Sequence, residues 1–206
     1  MATVLLLNGI SSSGKTSIAK ALQTCMPEPW LHVSMDKFIG MLHPRFIGPE
    51  PEAEPGFFFA RTKDAAGELY TIRVGETGKK LMVGMRQLVK ILADMGNPLI
   101  LDDVIYGTRG FLEYAELLSA HKVYLIAVSC RLDIAESRER ARGDRVVPHT
   151  RGQFPVVNRH PYFDINVDTS DQTPIALAEK IYSYILENNQ PTALKELERH
   201  GHAKES

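Results

Sequence analysis

The chain has 206 residues, 44% of them hydrophobic, and its 24 basic and 25 acidic side chains leave a formal net charge of −1. This length fits one globular domain with a sizeable core and is too short for two. The balanced charge gives no reason to expect a nucleic acid partner. The first strand begins almost at once, without a basic leader, and no apolar run could span a bilayer. We therefore expect a cytoplasmic protein with no membrane partner, and these features leave its oligomeric state open.

A phosphate-binding pattern opens the chain. Residues 8–17 are NGISSSGKTS, between the apolar run 3–7 and a segment with helical character. The G-x-x-x-x-G-K-[ST] spacing between a strand and a helix predicts a loop whose backbone N–H groups point at phosphate oxygens. Lys15 is expected to reach the β- and γ-phosphates of ATP, and the Thr16 hydroxyl to bind Mg²⁺. The predicted nucleotide contacts in this loop are Gly9, Ser11, Ser12, Ser13, Gly14, Lys15, Thr16 and Ser17.

Acidic side chains follow two further predicted strands. Asp36 comes after the strand at 30–34, and Asp102 and Asp103 end the buried strand at 98–101. In open parallel sheets ligands bind beyond the carboxyl ends of the strands, so these acids are directed at the same crevice as the phosphate loop. Asp36 also suits the N-cap of a following helix, but its place at a strand end favours a functional role. The two acids should not have the same role, because successive strand side chains point to opposite faces. We assign Asp102 to the metal, and the sequence leaves open whether Asp103 serves it instead.

Residues 41–75 form the least regular part of the chain, and we interpret them as a substrate cap. Four prolines argue against a central sheet element, and residues 69–74 predict a short hairpin. The aromatic run at 57–59 either lines a substrate pocket or anchors the cap to the core. The apolar spacing after the cap, over 75–96, predicts a helix that packs on a sheet.

A charged segment at 131–145 predicts an arginine-bearing lid, which extends over residues 138–158. Its arginines continue past the pairing acids into a loop at 148–153, whereas a merely solvated helix would keep its charges paired. Guanidinium groups match phosphoryl oxygens, so we assign Arg138 and Arg142 to catalysis and Arg145 to nucleotide binding.

The end of the domain is predicted to be a strand at 163–170 followed by a helix at 173–188. The turn after the strand lies where an adenine base would rest, which makes Asp168 a predicted nucleotide contact. The kinase domain should then occupy residues 1–190, followed by a polar tail at 191–206. The predicted fold is α/β, a parallel sheet of about five strands with helices on both faces.

Several stretches together resemble the chloramphenicol phosphotransferase family. They are Leu7-Asn8-Gly9, Ser11-Ser12, Gly14-Lys15, Pro27-Glu28-Pro29-Trp30-Leu31, Asp36, Asp102-Asp103-Val104 and residues 141–146 (ARGDRV). The resemblance covers most of the chain and implies a P-loop fold like that of adenylate and shikimate kinases. It implies transfer of the γ-phosphoryl group of ATP to the primary hydroxyl of chloramphenicol, with Asp36 as the general base.

Two alternatives stay open on the sequence. Arg45, Arg61, Lys63 and Arg73 lie within the cap, and a basic pocket there would suit an anionic substrate, such as a nucleotide or another metabolite. A regulatory ATP-binding module is the other alternative, although it would leave Asp36 and the arginines without a role. Both kinase interpretations predict a small-molecule alcohol as the phosphoryl acceptor, whereas the regulatory module would have none.

Overall fold

Strands and helices alternate along the chain. The computed structural model describes residues 1–143, 149–158 and 162–201. The strands are β1 (Thr3–Asn8), β2 (Leu31–Ser34), β3 (Ile47–Gly48), β4 (Phe57–Asp64), β5 (Gly67–Val74), β6 (Leu99–Asp103), β7 (Lys122–Ser129) and β8 (Ile165–Asp168). The helices are α1 (Lys15–Cys25), α2 (Met35–Ile39), α3 (Glu76–Asp94), α4 (Gly107–Leu117), α5 (Leu132–Arg142), α6 (Thr150–Gln153), α7 (Pro174–Glu187) and α8 (Ala193–Gly201).

Five strands form a parallel sheet in the order β2-β6-β1-β7-β8. Residues 4–7 of the central strand β1 are completely buried because both faces of the sheet are covered. Helices α3, α4 and α8 contribute to the core on one face, and α1 and α7 to the core on the other. The predicted fold class is therefore confirmed. Among the described helices, none has the length and apolar character needed to cross a membrane.

The cap contains a second, three-stranded sheet. Strands β4 and β5 form an antiparallel hairpin that pairs Phe57 with Val74 and Asp64 with Gly67, and the short strand β3 adds to its edge. The expected hairpin at 69–74 is therefore too short. The turn explains the longer hairpin, because the Asp64 side chain accepts a hydrogen bond from the Ala66 N–H at 2.9 Å and Gly67 adopts a φ of +123°.

The C-terminal segment is helical over residues that were expected to be a polar tail. In α8, Ala193, Leu194 and Leu197 are buried against the core, on the face that also holds α4. The Asp164 carboxylate fixes its start by accepting hydrogen bonds from the N–H groups of Thr192 and Ala193. The tail prediction is wrong for residues 193–201, because these three apolar side chains lie on one face of a helix.

Candidate active site

The phosphate loop joins β1 to α1, and two of its residues have a positive φ, which glycine adopts freely and serine only at a cost. Gly14 has a φ of +95° and stands at the N-cap of α1, while Ser12 has a φ of +59°. Gly9 is required for a different reason, since a Cβ there would lie 2.3 Å from the Val128 carbonyl oxygen. The loop is thus packed closely against β7. It leads directly into the N-terminus of α1, where backbone N–H groups favour an anion.

The Lys15 side chain folds back across the phosphate loop. Its ammonium donates hydrogen bonds to the carbonyl oxygens of Gly9 and Ile10, both at 2.9 Å, and only 7% of the residue is exposed. The same nitrogen lies 4.0 Å from a carboxylate oxygen of Asp102 at the end of β6. A positive charge is therefore held at the centre of the loop, where phosphate oxygens would bind.

Asp102 is the acid that faces the phosphate loop. The Thr16 hydroxyl donates to its carboxylate at 2.5 Å, and His32 Nε2 on β2 lies 3.6 Å away. Burial by itself raises the pKa of Asp102, but His32, Lys15 and Thr16 outweigh burial and hold that pKa below its usual range. Asp102 is thus an anion beside a hydroxyl, an arrangement of hard oxygen donors that suits Mg²⁺.

Asp103 has different partners. Its carboxylate accepts hydrogen bonds from the Val104 N–H at 2.7 Å and from the Tyr114 hydroxyl at 2.9 Å. The Arg86 guanidinium lies 5.5 Å from the centre of the Tyr114 ring. Burial raises the pKa of Asp103 even though these groups oppose the shift. The two adjacent acids therefore have different hydrogen-bond partners, as expected for opposite faces of a strand, although both line the same cavity.

One cavity of about 1120 Å³ brings most of the predicted site residues together. Asp36 lies in it, on the first turn of α2, and the N-cap position of that helix is Ser34, so the alternative of Asp36 as an N-cap is wrong. The predicted residues that line the cavity are Ser11, Ser12, Gly14, Lys15, Thr16, Ser17, Asp36, Asp102, Arg138 and Arg142. Ser13 belongs to the same loop but is buried, and its carbonyl oxygen accepts a hydrogen bond from the Thr169 hydroxyl at 2.7 Å.

The predicted lid residues have several different environments. Arg138 donates to the hydroxyl and the carbonyl oxygen of Thr169, at 2.9 and 2.7 Å, and so lies beside the phosphate loop. Arg142 lines the cavity one turn further along α5, and Arg145 falls outside the described residues. The carboxylate of Asp168 accepts hydrogen bonds from the N–H and hydroxyl of Ser170. Contacts of these residues with a nucleotide stay predictions.

Residues 149–153 are not the expected loop, since they include the buried helix α6 that packs on the phosphate loop. The Ser11 N–H donates to the Gln153 side-chain oxygen at 2.6 Å, and the Thr150 hydroxyl lies 3.2 Å from the Ser11 carbonyl oxygen. On α5, the buried Glu139 carboxylate accepts from the N–H groups of His149 and Thr150 and from the Thr150 hydroxyl. Sequence reasoning missed these residues because they are far from the phosphate loop along the chain.

Replacing Glu139 with alanine is expected to destabilise the protein by about 3 kcal/mol. The change would leave two buried backbone N–H groups without their acceptor, while the Thr150 hydroxyl would keep only the Ser11 carbonyl oxygen. The melting temperature should fall by roughly 6–12 °C. Differential scanning calorimetry measures this shift. Glu179→Ala, at an exposed position on α7, is the matched control and should change the melting temperature little. Equal melting temperatures for the two variants would contradict the role given to Glu139.

The fold is shared with kinases of known structure. APS kinase CysC of Mycobacterium tuberculosis, solved with AMPPNP and APS, matches with a TM-score of 0.62 at 13% identity, over 89% of this chain and 97% of that one. Shikimate kinase from Acinetobacter baumannii, solved with shikimate, matches with a TM-score of 0.53 at 15% identity, over 91% and 94% of the two chains. A parallel sheet with the phosphate loop after its central strand is the P-loop fold that this chain shares with those kinases.

The family model for chloramphenicol phosphotransferase-like proteins matches residues 2–185, and this chain belongs to that family. The protein named "Putative O-phosphotransferase Rv2636" of Mycobacterium tuberculosis H37Rv is 26% identical over 197 residues, which cover 95% of this chain and 88% of the relative. These findings confirm the resemblance seen in the sequence. Fold and family together make the chain a phosphotransferase of the kinase class.

Proposed function

We propose that this protein transfers the γ-phosphoryl group of ATP to a hydroxyl of a neutral, largely apolar small molecule, chloramphenicol or an antibiotic similar to it. The observation that carries this proposal is the apolar lining of the cavity on the side of the cap. Ile47, Phe57, Phe59, Ile72 and Val74 all line it. Such a wall favours an uncharged acceptor, because burying an anion beside these side chains would cost its hydration without a compensating partner.

The basic residues of the cap do not line the cavity among the described residues: Arg45, Arg61, Lys63 and Arg73 all lie outside its wall. The Arg45 guanidinium lies 4.6 Å from the centre of the Phe46 ring, and Arg61 donates to the Tyr70 hydroxyl at 3.4 Å. Arg73 pairs with Phe58 in the hairpin and so alternates with the cavity-facing Ile72. Among the described residues that line the cavity, the lysine and arginine side chains are Lys15, Arg138 and Arg142, which come from α1 and α5. This distribution favours a neutral acceptor over an anionic metabolite.

The proposed reaction is an in-line displacement at the γ-phosphorus. The acceptor oxygen forms a bond to phosphorus, the bond between the γ-phosphorus and the β,γ-bridging oxygen breaks, and ADP leaves. Asp36 orients the acceptor hydroxyl and takes its proton as the new bond forms. Lys15, Arg138 and Arg142 stabilise the charge on the transferring group and on the departing ADP. On binding ATP, Lys15 would exchange the carbonyl oxygens of Gly9 and Ile10 for phosphate oxygens.

Thr16 and Asp102 would hold Mg²⁺, since their oxygens lie 2.5 Å apart and the carboxylate is anionic. When bound, the ion would neutralise phosphate charge. Mg²⁺ in kinases is held by one or two protein oxygens together with phosphates and water.

The test is to incubate the purified protein with Mg-ATP and chloramphenicol and to analyse the products by mass spectrometry. We expect a singly phosphorylated product, and none when the primary hydroxyl of the antibiotic is blocked by acetylation. Shikimate, an anionic alcohol, serves as the contrasting acceptor and should not react. Phosphorylation of shikimate but not of chloramphenicol would keep the kinase and contradict the neutral acceptor. Binding of ATP without transfer to any member of a panel of alcohols would instead favour a regulatory module.

A further inference from the structure

Helix α6 lies between the cap and the phosphate loop and contacts both. On one side Gln153 accepts the hydrogen bond from the Ser11 N–H. On the other side the His149 ring, just before α6, stacks on Phe59 of β4 with ring centres 5.7 Å apart. Arg151 adds an ion pair with Asp64 at 2.9 Å at the end of the hairpin. Because Phe59 also lines the cavity, a continuous row of contacts links the cap to the loop.

The hydrogen bonds within this row have a fixed direction. A backbone N–H can only donate, so the Gln153 group that faces Ser11 must be the oxygen of its amide. The amide nitrogen of Gln153 then faces His149 Nε2, at 2.8 Å, and donates to it. Turning the amide over would bring two donors together at Ser11. Gln153 therefore satisfies Ser11 and His149 in a single orientation, and its side chain also makes a hydrogen bond with the Tyr106 hydroxyl. His149 and Gln153 are 5% and 4% exposed.

We propose that Gln153 is a positioning residue that couples the cap to the phosphate loop, through Phe59, His149, Gln153 and Ser11. This inference rests on the proposed function, because it takes the space under the cap as the acceptor site. In this arrangement a nucleotide holds the phosphate loop in one shape, and the loop then fixes the orientation of the Gln153 amide. The amide in turn fixes the His149 ring, and the ring fixes the cap wall against which the acceptor binds. Nucleotide and acceptor would then each favour binding of the other.

The test uses the ATP analogue AMPPNP, which requires no knowledge of the acceptor. Calorimetry gives its Kd, and hydrogen exchange gives the protection of the hairpin at 57–74. In the wild-type protein we expect AMPPNP to slow exchange across the hairpin. In Gln153→Met, which fills similar volume without an amide, Kd should rise about tenfold and the added hairpin protection should be lost. Gln87→Met, at an exposed position on α3, is the matched control and should behave as wild type.

Two further variants separate positioning from a merely structural effect. Phe59→Leu keeps both of these Gln153 hydrogen bonds but removes the ring on which His149 stacks, and His149→Ala keeps the Gln153 bond to Ser11 but removes the stacked imidazole. Both should bind AMPPNP within about threefold of wild type and lose the added hairpin protection. These two variants also carry the test if Gln153→Met does not fold.

The outcomes separate this inference from the proposed function. AMPPNP binding to wild type without added hairpin protection, or equal protection in the wild type and in the Phe59→Leu and His149→Ala proteins, would overturn the coupling and leave the kinase assignment intact. Failure of the wild-type protein to bind AMPPNP would overturn both. Nucleotide-dependent protection that is lost in the Gln153 and His149 variants and kept in Gln87→Met would support the coupling.

Discussion

Lys15→Ala is expected to lower kcat for phosphoryl transfer by roughly 10³-fold or more while the protein remains folded. The side chain supplies the positive charge at the centre of the phosphate loop, and that charge interacts most strongly with the transferring group in the transition state. Nucleotide affinity should therefore fall less than kcat. The fold should persist because Asp102 keeps its hydrogen bond from Thr16 when the ammonium is removed.

The measurement is steady-state kinetics with an identified acceptor, together with AMPPNP binding and a melting curve. Lys15→Met gives a second variant that keeps most of the side-chain length without the charge. Lys20→Ala is the matched control, since Lys20 lies on the same helix at an exposed position. Turnover near the wild-type rate in Lys15→Ala would contradict the assignment of residues 8–17 as the phosphate loop.

Asp36→Asn is expected to lower kcat by roughly two to four orders of magnitude and to leave AMPPNP affinity unchanged. Asparagine keeps the shape and the hydrogen-bonding capacity of the side chain but cannot take a proton. The carboxylate lies on the first turn of α2, in the cavity shared by the phosphate loop and the cap. The loss should therefore appear in the chemical step rather than in nucleotide binding.

Single-turnover kinetics with Mg-ATP and the alcohol that the wild-type protein phosphorylates separates the chemical step from product release. Asp133→Asn is a suitable control, because Asp133 also occupies the first turn of a helix but pairs with the exposed Arg131. Wild-type turnover by Asp36→Asn would show that another group accepts the proton, and would require a different mechanism for the same cavity.

The sequence alone was sufficient for the parts of the site that are local. A phosphate loop is built from consecutive residues, so glycine, lysine and threonine at fixed spacing define it without knowledge of the rest of the chain. The strand ends could be predicted from the sequence as well, since an acid after an apolar run marks the carboxyl edge of a parallel sheet. Asp36 and Asp102 lie at that edge. The family resemblance rested on such short stretches, and the match over residues 2–185 confirmed it.

Tertiary structure decided how distant segments meet. Ser11 and Gln153 are 142 positions apart, and His32 reaches Asp102 only because β2 pairs with β6. The cap hairpin turns its apolar side chains to the cavity through a register that no local pattern specifies. Hydrogen bonds and packing across the sheet depend on which elements become neighbours, whereas the phosphate loop depends on the conformations of its own residues. The sequence by itself therefore determined the phosphate loop, and only the tertiary structure decided the shape and polarity of the cavity wall under the cap.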